Sequence, residues 1–260
     1  MSAIRRKVFA LAMFVAFVAA ASPLFAQNSL DQIKAAGVIK IGTEGSYAPF
    51  TYHDSTGALV GFDVEIAREV AKRLGVRAEF IEGKWDGLIA GLDARRYDIV
   101  ANEVTITEAR KAKFDFSKPY IVSKAVLIVR ESEKAIKSFA DLKGKKSGQA
   151  LTSNFGRLAQ ENGAILVGVD GFNQSVDLLL SGRVDATIND SLSYLDFKKQ
   201  KPDAKLKVVA SLESAEAQGI IMRKGNPELL AAIDKALADA KADGTYLAIS
   251  MKYFGEDVSN

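Results

Sequence analysis

The 260-residue chain contains no cysteine and only one histidine, His53. Disulfide bonds, zinc–thiolate sites and thiol catalysis are therefore excluded. A metal site with two histidine ligands is excluded too, and a Ser-His-Asp triad would have to use His53, which lies in the turn-like residues 52–55. The chain also lacks a glycine-rich phosphate loop. These absences leave little support for an enzyme, and they predict neither a metal nor a cofactor.

Long apolar runs are absent except near the N-terminus. Three basic residues at positions 5–7 precede an apolar run over residues 8–21, and the stretch ends in a small residue, Ala26. This order is typical of a secretory signal, so residues 1–26 are predicted to be a signal peptide that is cleaved near Ala26. A retained membrane anchor is the alternative, although the run is short for a membrane span.

The excess of basic residues also disappears when the predicted signal peptide is removed. The whole chain has 35 Lys and Arg residues against 32 Asp and Glu residues, a net charge of +3. The first 26 residues contain three basic and no acidic residues, so the remaining chain has 32 of each sign. Binding to nucleic acid usually requires a basic excess, and we therefore expect no nucleic-acid partner.

The remaining chain alternates between predicted strands and helices. Residues 38–43 and 76–81 have the composition of strands, whereas residues 61–74 place apolar side chains on one helical face. This alternation indicates an α/β fold. The apolar strands that begin at Ala125 and near Gly219 are expected to cross between two lobes, because no linker is rich in Pro, Gly or Ser.

One segment, residues 102–110, combines groups that could bind both charges of a zwitterion. A short apolar strand ends before it, and Thr107 is a candidate N-cap of the helix that follows. The N-terminus of a helix attracts anions, and the planar guanidinium of Arg110 can hold a carboxylate through two hydrogen bonds. Glu103 and Thr105 alternate onto one side of the chain and supply acceptors.

The same helix–turn–strand pattern occurs a second time. Residues 92–103 align with residues 179–190 at Leu, Arg, Asp and Asn positions, and both stretches end in an acidic residue. Ligands of open α/β sheets bind beyond the carboxyl ends of the strands. If the two units face each other, Glu103 and Asp190 will lie on opposite walls of one cleft.

Six motifs, in order along the chain, resemble those of periplasmic solute-binding proteins of the polar amino-acid type, the extracytoplasmic components of ABC importers. The resemblance covers nearly all of residues 29–256 and is strongest to the cystine-binding members. The motifs are residues 42–50 (GTEGSYAPF), 61–67 (GFDVEIA), 84–87 (KWDG), 105–110 (TITEAR), 116–120 (FSKPY) and 182–186 (GRVDA).

The resemblance implies a two-lobed Venus flytrap fold, α/β in class, with a hinge of two strands. The first lobe would comprise residues 27–124, the second lobe residues 125–216, and residues 217–260 would return to the first lobe and end in helices. The protein would be periplasmic and monomeric, and it would deliver an amino acid to an ABC permease in the inner membrane.

The resemblance also implies a role for each matching residue. Arg110 would bind the ligand α-carboxylate together with Ser153 and backbone N–H groups, and Asp190 would bind the α-ammonium from the other lobe. Glu103 would contribute its carbonyl and Thr105 its hydroxyl. The side chain of the ligand would lie between the aromatic rings of Tyr47 and Trp85, and its far end would reach the carboxylate of Glu44.

The identity of the ligand is left open between cystine and a basic amino acid. The family usually has a small or neutral residue where this chain has Glu103, and two spare carboxylates, Glu103 and Glu44, favour a ligand with an additional amino group. A secreted cyclohexadienyl or arogenate dehydratase on the same fold is the alternative function. Such an enzyme would need a general acid in the cleft, and Glu103 or Glu44 could serve.

Overall fold

The computed structural model describes residues 29–259, and the predicted signal peptide lies outside this range. The described chain forms two five-stranded sheets, each with helices packed against it, and a two-stranded sheet between them. We refer to the elements around the first sheet as the first lobe and to those around the second sheet as the second lobe. The predicted α/β fold with two connecting strands is confirmed.

The first sheet consists of β1 (Val38–Thr43), β5 (Arg77–Glu82), β6 (Ile99–Val100), β7 (Phe114–Phe116) and β15 (Ile221–Arg223). Its strand order is β5-β1-β6-β15-β7, in which β1 is parallel to β5 and β6, and β15 is antiparallel to β6 and β7. A small sheet beside it consists of β2 (Ser46–Tyr47), β3 (Thr51–His53) and β4 (Leu59–Val60).

The helices of the first lobe are α1 (Ser29–Ala36), α2 (Phe62–Leu74), α3 (Trp85–Asp93), α4 (Glu108–Lys111), α8 (Pro227–Ala242) and α9 (Thr245–Phe254). Helix α2 illustrates the apolar face with which such a helix packs against the core. Phe62, Ile66 and Val70 recur every four residues and are all buried, so they form one apolar face. Gly75 ends the helix with a φ of 77°, a left-handed conformation that glycine adopts without strain.

The second sheet consists of β9 (Ala125–Arg130), β10 (Lys146–Gln149), β11 (Ile165–Gly168), β12 (Ala186–Asp190) and β13 (Leu206–Ser211), in the order β11-β10-β12-β9-β13. Strand β10 is parallel to β11 and β12, whereas β9 is antiparallel to β12 and β13. The second lobe also contains α5 (Asn154–Glu161), α6 (Phe172–Leu180), α7 (Ser191–Gln200) and a 3-10 turn (Phe139–Leu142).

The lobes are connected by β8 (Ile121–Ser123) and β14 (Glu216–Gln218), which pair antiparallel. The sequence prediction placed the crossovers slightly later, at Ala125 and near Gly219, and this placement is wrong. Strand β9 lies inside the second sheet, buried along nearly its whole length, which explains its continuous apolar run. The predicted lobe boundaries, after residues 124 and 216, remain predictions.

The two predicted repeat units fold alike. Residues 92–103 lead from α3 into β6, and residues 179–190 lead from α6 into β12. Arg95 and Gly182 occupy the same position in the two turns, and both have positive φ, 57° and 73° respectively. The equivalent turns therefore share a left-handed residue, even though only one of them is a glycine.

The aspartates of the two units also have equivalent contacts. The Asp98 carboxylate accepts a hydrogen bond from the backbone N–H of Lys40 on β1, at 2.9 Å. The Asp185 carboxylate accepts one from the N–H of Lys146 on β10, at 2.8 Å. Each aspartate thus fixes the start of its strand against the neighbouring parallel strand. The two units are equivalent in three dimensions, and each delivers an Asn-acid pair to the carboxyl end of a strand.

Candidate functional site

A cavity lies between the two lobes, beyond the carboxyl ends of β1, β6, β10 and β12. Four of its residues come from the first lobe: Glu44, Tyr47, Trp85 and Glu103. The second lobe contributes Gln149, Ala150, Ser153, Asn154, Phe155, Gly171, Phe172, Ser175 and Asn189. Five of the eight predicted site residues therefore line this cavity, namely Glu44, Tyr47, Trp85, Glu103 and Ser153.

The remaining three predicted residues border the cavity through direct contacts with its lining. Arg110 lies against Trp85, with the guanidinium carbon 5.1 Å from the ring centroid. The Thr105 hydroxyl accepts a hydrogen bond from the amide of Asn154, at 3.2 Å. Asp190 directly follows Asn189, and its carboxyl lies within hydrogen-bonding reach of the Glu103 carboxyl.

Arg110 is held at one side of the cleft by contacts with both lobes. Its guanidinium donates to the Thr105 carbonyl at 2.8 Å and to the Asn154 side-chain oxygen at 3.5 Å. Burial lowers the pKa of Arg110 to about 10, so the side chain stays charged at neutral pH. Thr107 caps the short helix α4 as predicted, because its hydroxyl accepts from the N–H of Arg110 at 3.2 Å.

The N-terminus of helix α5 lies next to this guanidinium. Ser153 is the N-cap of α5, and its hydroxyl accepts from the N–H of Gly156 at 2.9 Å. The first N–H groups of a helix have no partner within the helix, and the helix dipole favours negative charge there. Together, the helix end and Arg110 form a place where a carboxylate would be stabilised.

Glu103 is positioned by an unusual backbone conformation. Its φ is 51°, in the left-handed region, and its backbone N–H donates to the carboxyl of Asp63. Asp63 also accepts from the hydroxyl of Tyr120 at 2.8 Å. These buried contacts hold the residue in a conformation that is sparsely populated for a side chain with a Cβ atom.

Glu103, Asp190 and Asp63 form a buried acidic cluster. Burial and the neighbouring carboxylates of Asp190 and Asp63 raise the pKa of Glu103 well above its ordinary value. Burial raises the pKa of Asp190 to about 6, although hydrogen bonds from Ser123 and from the Leu192 N–H partly oppose this. Burial likewise raises the pKa of Asp63 to about 7. The cluster can therefore hold protons at a pH where free carboxyl groups would be ionised.

Glu44 lies in a different part of the cavity. The Asn102 amide donates to the Glu44 carboxylate at 2.6 Å, and the Glu44 N–H donates to the Asn102 side-chain oxygen at 2.8 Å. Burial raises the pKa of Glu44 to about 7, against the lowering effect of the Asn102 hydrogen bond. Its carboxylate also lies beside Gly171, the residue that precedes helix α6. Glu44 and Glu103 are thus separate features of the site.

Direct contacts between the lobes close the rim of the cavity. The Asp86 carboxylate accepts from the Thr152 N–H at 2.9 Å, the Thr152 hydroxyl at 2.8 Å and the Leu151 N–H at 3.3 Å. The Tyr47 hydroxyl donates to the Asn189 side-chain oxygen at 2.9 Å. Asp86 lies in the first turn of helix α3, but α3 begins after Lys84 without a side-chain cap. The carboxylate binds the opposite lobe instead.

A family model for bacterial extracellular solute-binding proteins, family 3, matches residues 39–256. The chain belongs to this family. The resemblance expected from the six motifs is confirmed, and so is the predicted class of function, because the matching family is one of extracellular solute-binding proteins. The dehydratase alternative finds no support in this assignment.

Similar family 3 proteins include both cystine and arginine binders. The L-cystine-binding protein TcyA of Bacillus subtilis (strain 168) is 46% identical over 228 residues, 87% of this chain and 85% of TcyA. The L-cystine solute receptor of Neisseria gonorrhoeae, in an unliganded open conformation, is 46% identical with a TM-score of 0.59, covering 89% and 99% of the two chains. An ancestral arginine-binding protein bound to arginine is 42% identical with a TM-score of 0.79, covering 84% and 99%.

Several cavity residues of this family 3 protein were missed by the sequence prediction. Asn189, which lines the cavity, and Asn102, which contacts the lining residue Glu44, are the clearest cases, since they match each other in the repeat but have no predicted role. Asn102 holds Glu44, and Asn189 accepts from Tyr47. The matched asparagines carried the necessary signal. By contrast, Gly171 and Phe172 at the start of α6 have no feature in the sequence that marks them as part of a site.

Across residues 29–259, no group of three or more His, Asp or Glu side chains is arranged to hold a metal ion. Within the same range, no helix is long and apolar enough to cross a membrane.

We expect the unliganded family 3 protein to lose stability as the pH rises from about 4 to about 7. Asp190, Asp63 and Glu44 have folded-state pKa values of about 6, 7 and 7, against about 4 for unfolded carboxyl groups. The folded state therefore binds more protons in this window, and the free energy of unfolding falls as the pH rises. Each unit of pKa shift corresponds to about 1.4 kcal/mol, so urea unfolding across the window would measure a loss on the order of several kcal/mol. A free energy of unfolding that rises instead would contradict the burial argument.

Proposed function

We propose that this protein is an extracytoplasmic receptor that binds L-cystine and delivers it to an ABC importer. The observation that carries the proposal is the charge arrangement around one cavity between the lobes. The cation Arg110 and the N-terminus of α5 lie on one side, and the carboxyl groups of Asp190 and Glu103 lie on another. This arrangement is complementary to the carboxylate and ammonium of an α-amino acid.

The far part of the cavity supports cystine as the ligand. Cystine has a second ammonium and a second carboxylate on its other half. The carboxylate of Glu44 would bind the ammonium, and the N-terminus of helix α6 after Gly171, which has no side-chain cap, would stabilise the carboxylate. The named cystine proteins among the relatives support the same choice.

A basic amino acid is the second candidate, because Glu44 alone could bind a terminal cation. Glu103 no longer supports this candidate, since its carboxyl faces Asp190 rather than Glu44. Calorimetric titration with cystine, arginine, lysine, glutamine and glutamate would decide between the candidates. We expect cystine to bind most tightly. If glutamate binds most tightly, the assignment of the acidic groups is wrong.

The Glu44→Gln variant is expected to bind cystine and arginine more weakly, with little effect on glutamine. The change removes the carboxylate that would face the far ammonium but keeps an oxygen for the Asn102 amide. We expect a loss of about 1–3 kcal/mol of binding free energy for a charged hydrogen bond. Calorimetry would compare it with Glu82→Gln, an equal change outside the cavity. An equal loss for glutamine would contradict the role of Glu44.

The export and cellular location of the protein are part of the same proposal. Residues 1–26 would direct export and be removed near Ala26, and the mature chain would act as a periplasmic monomer beside an inner-membrane permease.

The dehydratase activity considered above can be tested by incubating the protein with prephenate or arogenate. We expect no product.

A further inference from the structure

The Glu103 carboxyl is buried with too few hydrogen-bond donors for an anion. The residue is 4% exposed, and within the described chain its Oε1 atom has no hydrogen-bond donor. Its Oε2 atom is 3.5 Å from the Tyr47 hydroxyl, but that hydroxyl is better placed to donate to Asn189, at 2.9 Å. An unpaired carboxylate is costly to bury. Another group must therefore compensate the charge or the carboxyl must carry a proton.

Another carboxyl, that of Asp190, lies within hydrogen-bonding reach of the Glu103 carboxyl and is 1% exposed. Asp190 already accepts hydrogen bonds from the Ser123 hydroxyl and from the Leu192 N–H, at 2.8 Å for the latter. Both donors favour the ionised form of Asp190. Two ionised carboxyls in contact would repel each other, whereas one proton between them makes the Glu103 carboxyl a donor to Asp190. The pair belongs to opposite lobes, so this proton also bridges the lobes.

The other charged and titratable groups around Glu103 do not remove the need for this proton. They come from five elements or loops and comprise Asp63 on α2, Tyr47 on β2, Arg110 on α4, Tyr120 before β8 and Glu216 on β14. Two of them are acids, and two are tyrosines whose pKa is raised well above the ordinary value by burial. Arg110 is the cation of this set, and its guanidinium donates to Thr105 and Asn154.

We propose that Glu103 and Asp190 share one proton between the lobes, and that the α-ammonium of the ligand displaces this proton when it binds. The ammonium supplies the N–H donors that both carboxylates then accept, and the proton leaves to solvent. No covalent bond changes. This inference rests on the proposed function, because it concerns the α-ammonium site of the same cavity. Glu103 thereby becomes a second determinant of amine recognition through its side chain, in addition to the carbonyl contact expected from the family.

Two consequences follow for binding. The Glu103–Asp190 pair should release one proton for each ligand bound at a pH where the ligand ammonium is itself fully protonated. Affinity should also increase with pH by up to about tenfold per pH unit, since a single proton competes with the ligand. A ligand without the α-ammonium should release no proton from this pair.

The experiment is calorimetric titration with L-cystine at about pH 6.5 in buffers of different ionisation enthalpy, which counts the protons released. The Glu103→Gln variant places an amide N–H donor against Asp190 and keeps the size of the side chain, but it carries no exchangeable carboxyl proton. Glu82→Gln is the matched control. We expect the parent and Glu82→Gln to release one proton more than Glu103→Gln. Protons released elsewhere in the cavity cancel in this difference.

An infrared difference spectrum provides a second readout that does not depend on comparing affinities. Addition of L-cystine should remove one protonated-carboxyl C=O band in the parent that the difference spectrum of Glu103→Gln does not contain. If cystine binds but the parent and Glu103→Gln release equal numbers of protons, the shared proton is disproved and the receptor function stands. If neither cystine nor any other amino acid binds, the proposed function itself fails.

Discussion

Arg110→Ala is expected to weaken L-cystine binding by about 2–5 kcal/mol while leaving the fold intact. The guanidinium lies over Trp85 and beside the N-terminus of α5, where we propose that the ligand carboxylate binds. Its removal would leave a desolvated carboxylate with only backbone N–H groups. Calorimetry would measure the loss, and circular dichroism would check that the fold persists.

Arg157→Ala is the matched control for this change. Arg157 lies on α5 close enough to influence Arg110, but its contact in the described chain is an exposed pair with Glu161 at 3.6 Å. Exposed pairs contribute little, so we expect less than about 1 kcal/mol of change in binding. If both variants lose affinity equally, Arg110 acts through general charge and not as a carboxylate ligand.

The larger features of the fold could be predicted because they depend on local patterns. Helix α2 has an apolar face with a period of about four residues, and the repeat units have matching Leu, Asp and Asn positions. Strand β9 was correctly predicted as an apolar strand but wrongly placed as a crossover. An apolar run shows that a strand is buried on both faces, and it does not show which sheet buries it.

The parts of the site that could not be predicted depend on contacts between lobes. Asp86 stands at a position where an acidic residue commonly stabilises the start of a helix, so capping was the reasonable local interpretation. Its partners, Leu151 and Thr152, are more than sixty positions away in the sequence. Only the docking of the second lobe shows that the carboxylate holds the cavity closed. Local patterns contain no information about such partners.

The two spare carboxylates, Glu103 and Glu44, also show that local sequence patterns do not determine which groups meet in the site. From the sequence, Glu103 and Glu44 formed one group near the predicted aromatic pair. In the structure, the left-handed backbone at Glu103 and its bond to Asp63 direct the residue to the Asp190 side, whereas Asn102 holds Glu44 near Gly171. A count of charges could not separate the two, because the separation depends on a single backbone conformation.

The contacts of Asp190 allow a test that separates ammonium binding from helix capping. Asp190 is the N-cap of α7, and its carboxylate accepts from the Leu192 N–H at 2.8 Å. Asparagine caps a helix about as well as aspartate, so Asp190→Asn should preserve α7. The same change removes a buried negative charge from the side of the cavity where the ligand ammonium is expected.

Asp190→Asn should therefore weaken L-cystine binding by at least about 2 kcal/mol, with little effect on an analogue of cystine that lacks both amino groups. Glu103 remains in this variant and can still bind the ammonium, so the double variant Asp190→Asn with Glu103→Gln should lose more than either single variant. Because the two residues are in contact, their effects should not add, and a double-mutant cycle with L-cystine would measure the coupling. If Asp190→Asn weakens the amine-free analogue as much as cystine, the residue supports the shape of the cavity and does not bind the ammonium.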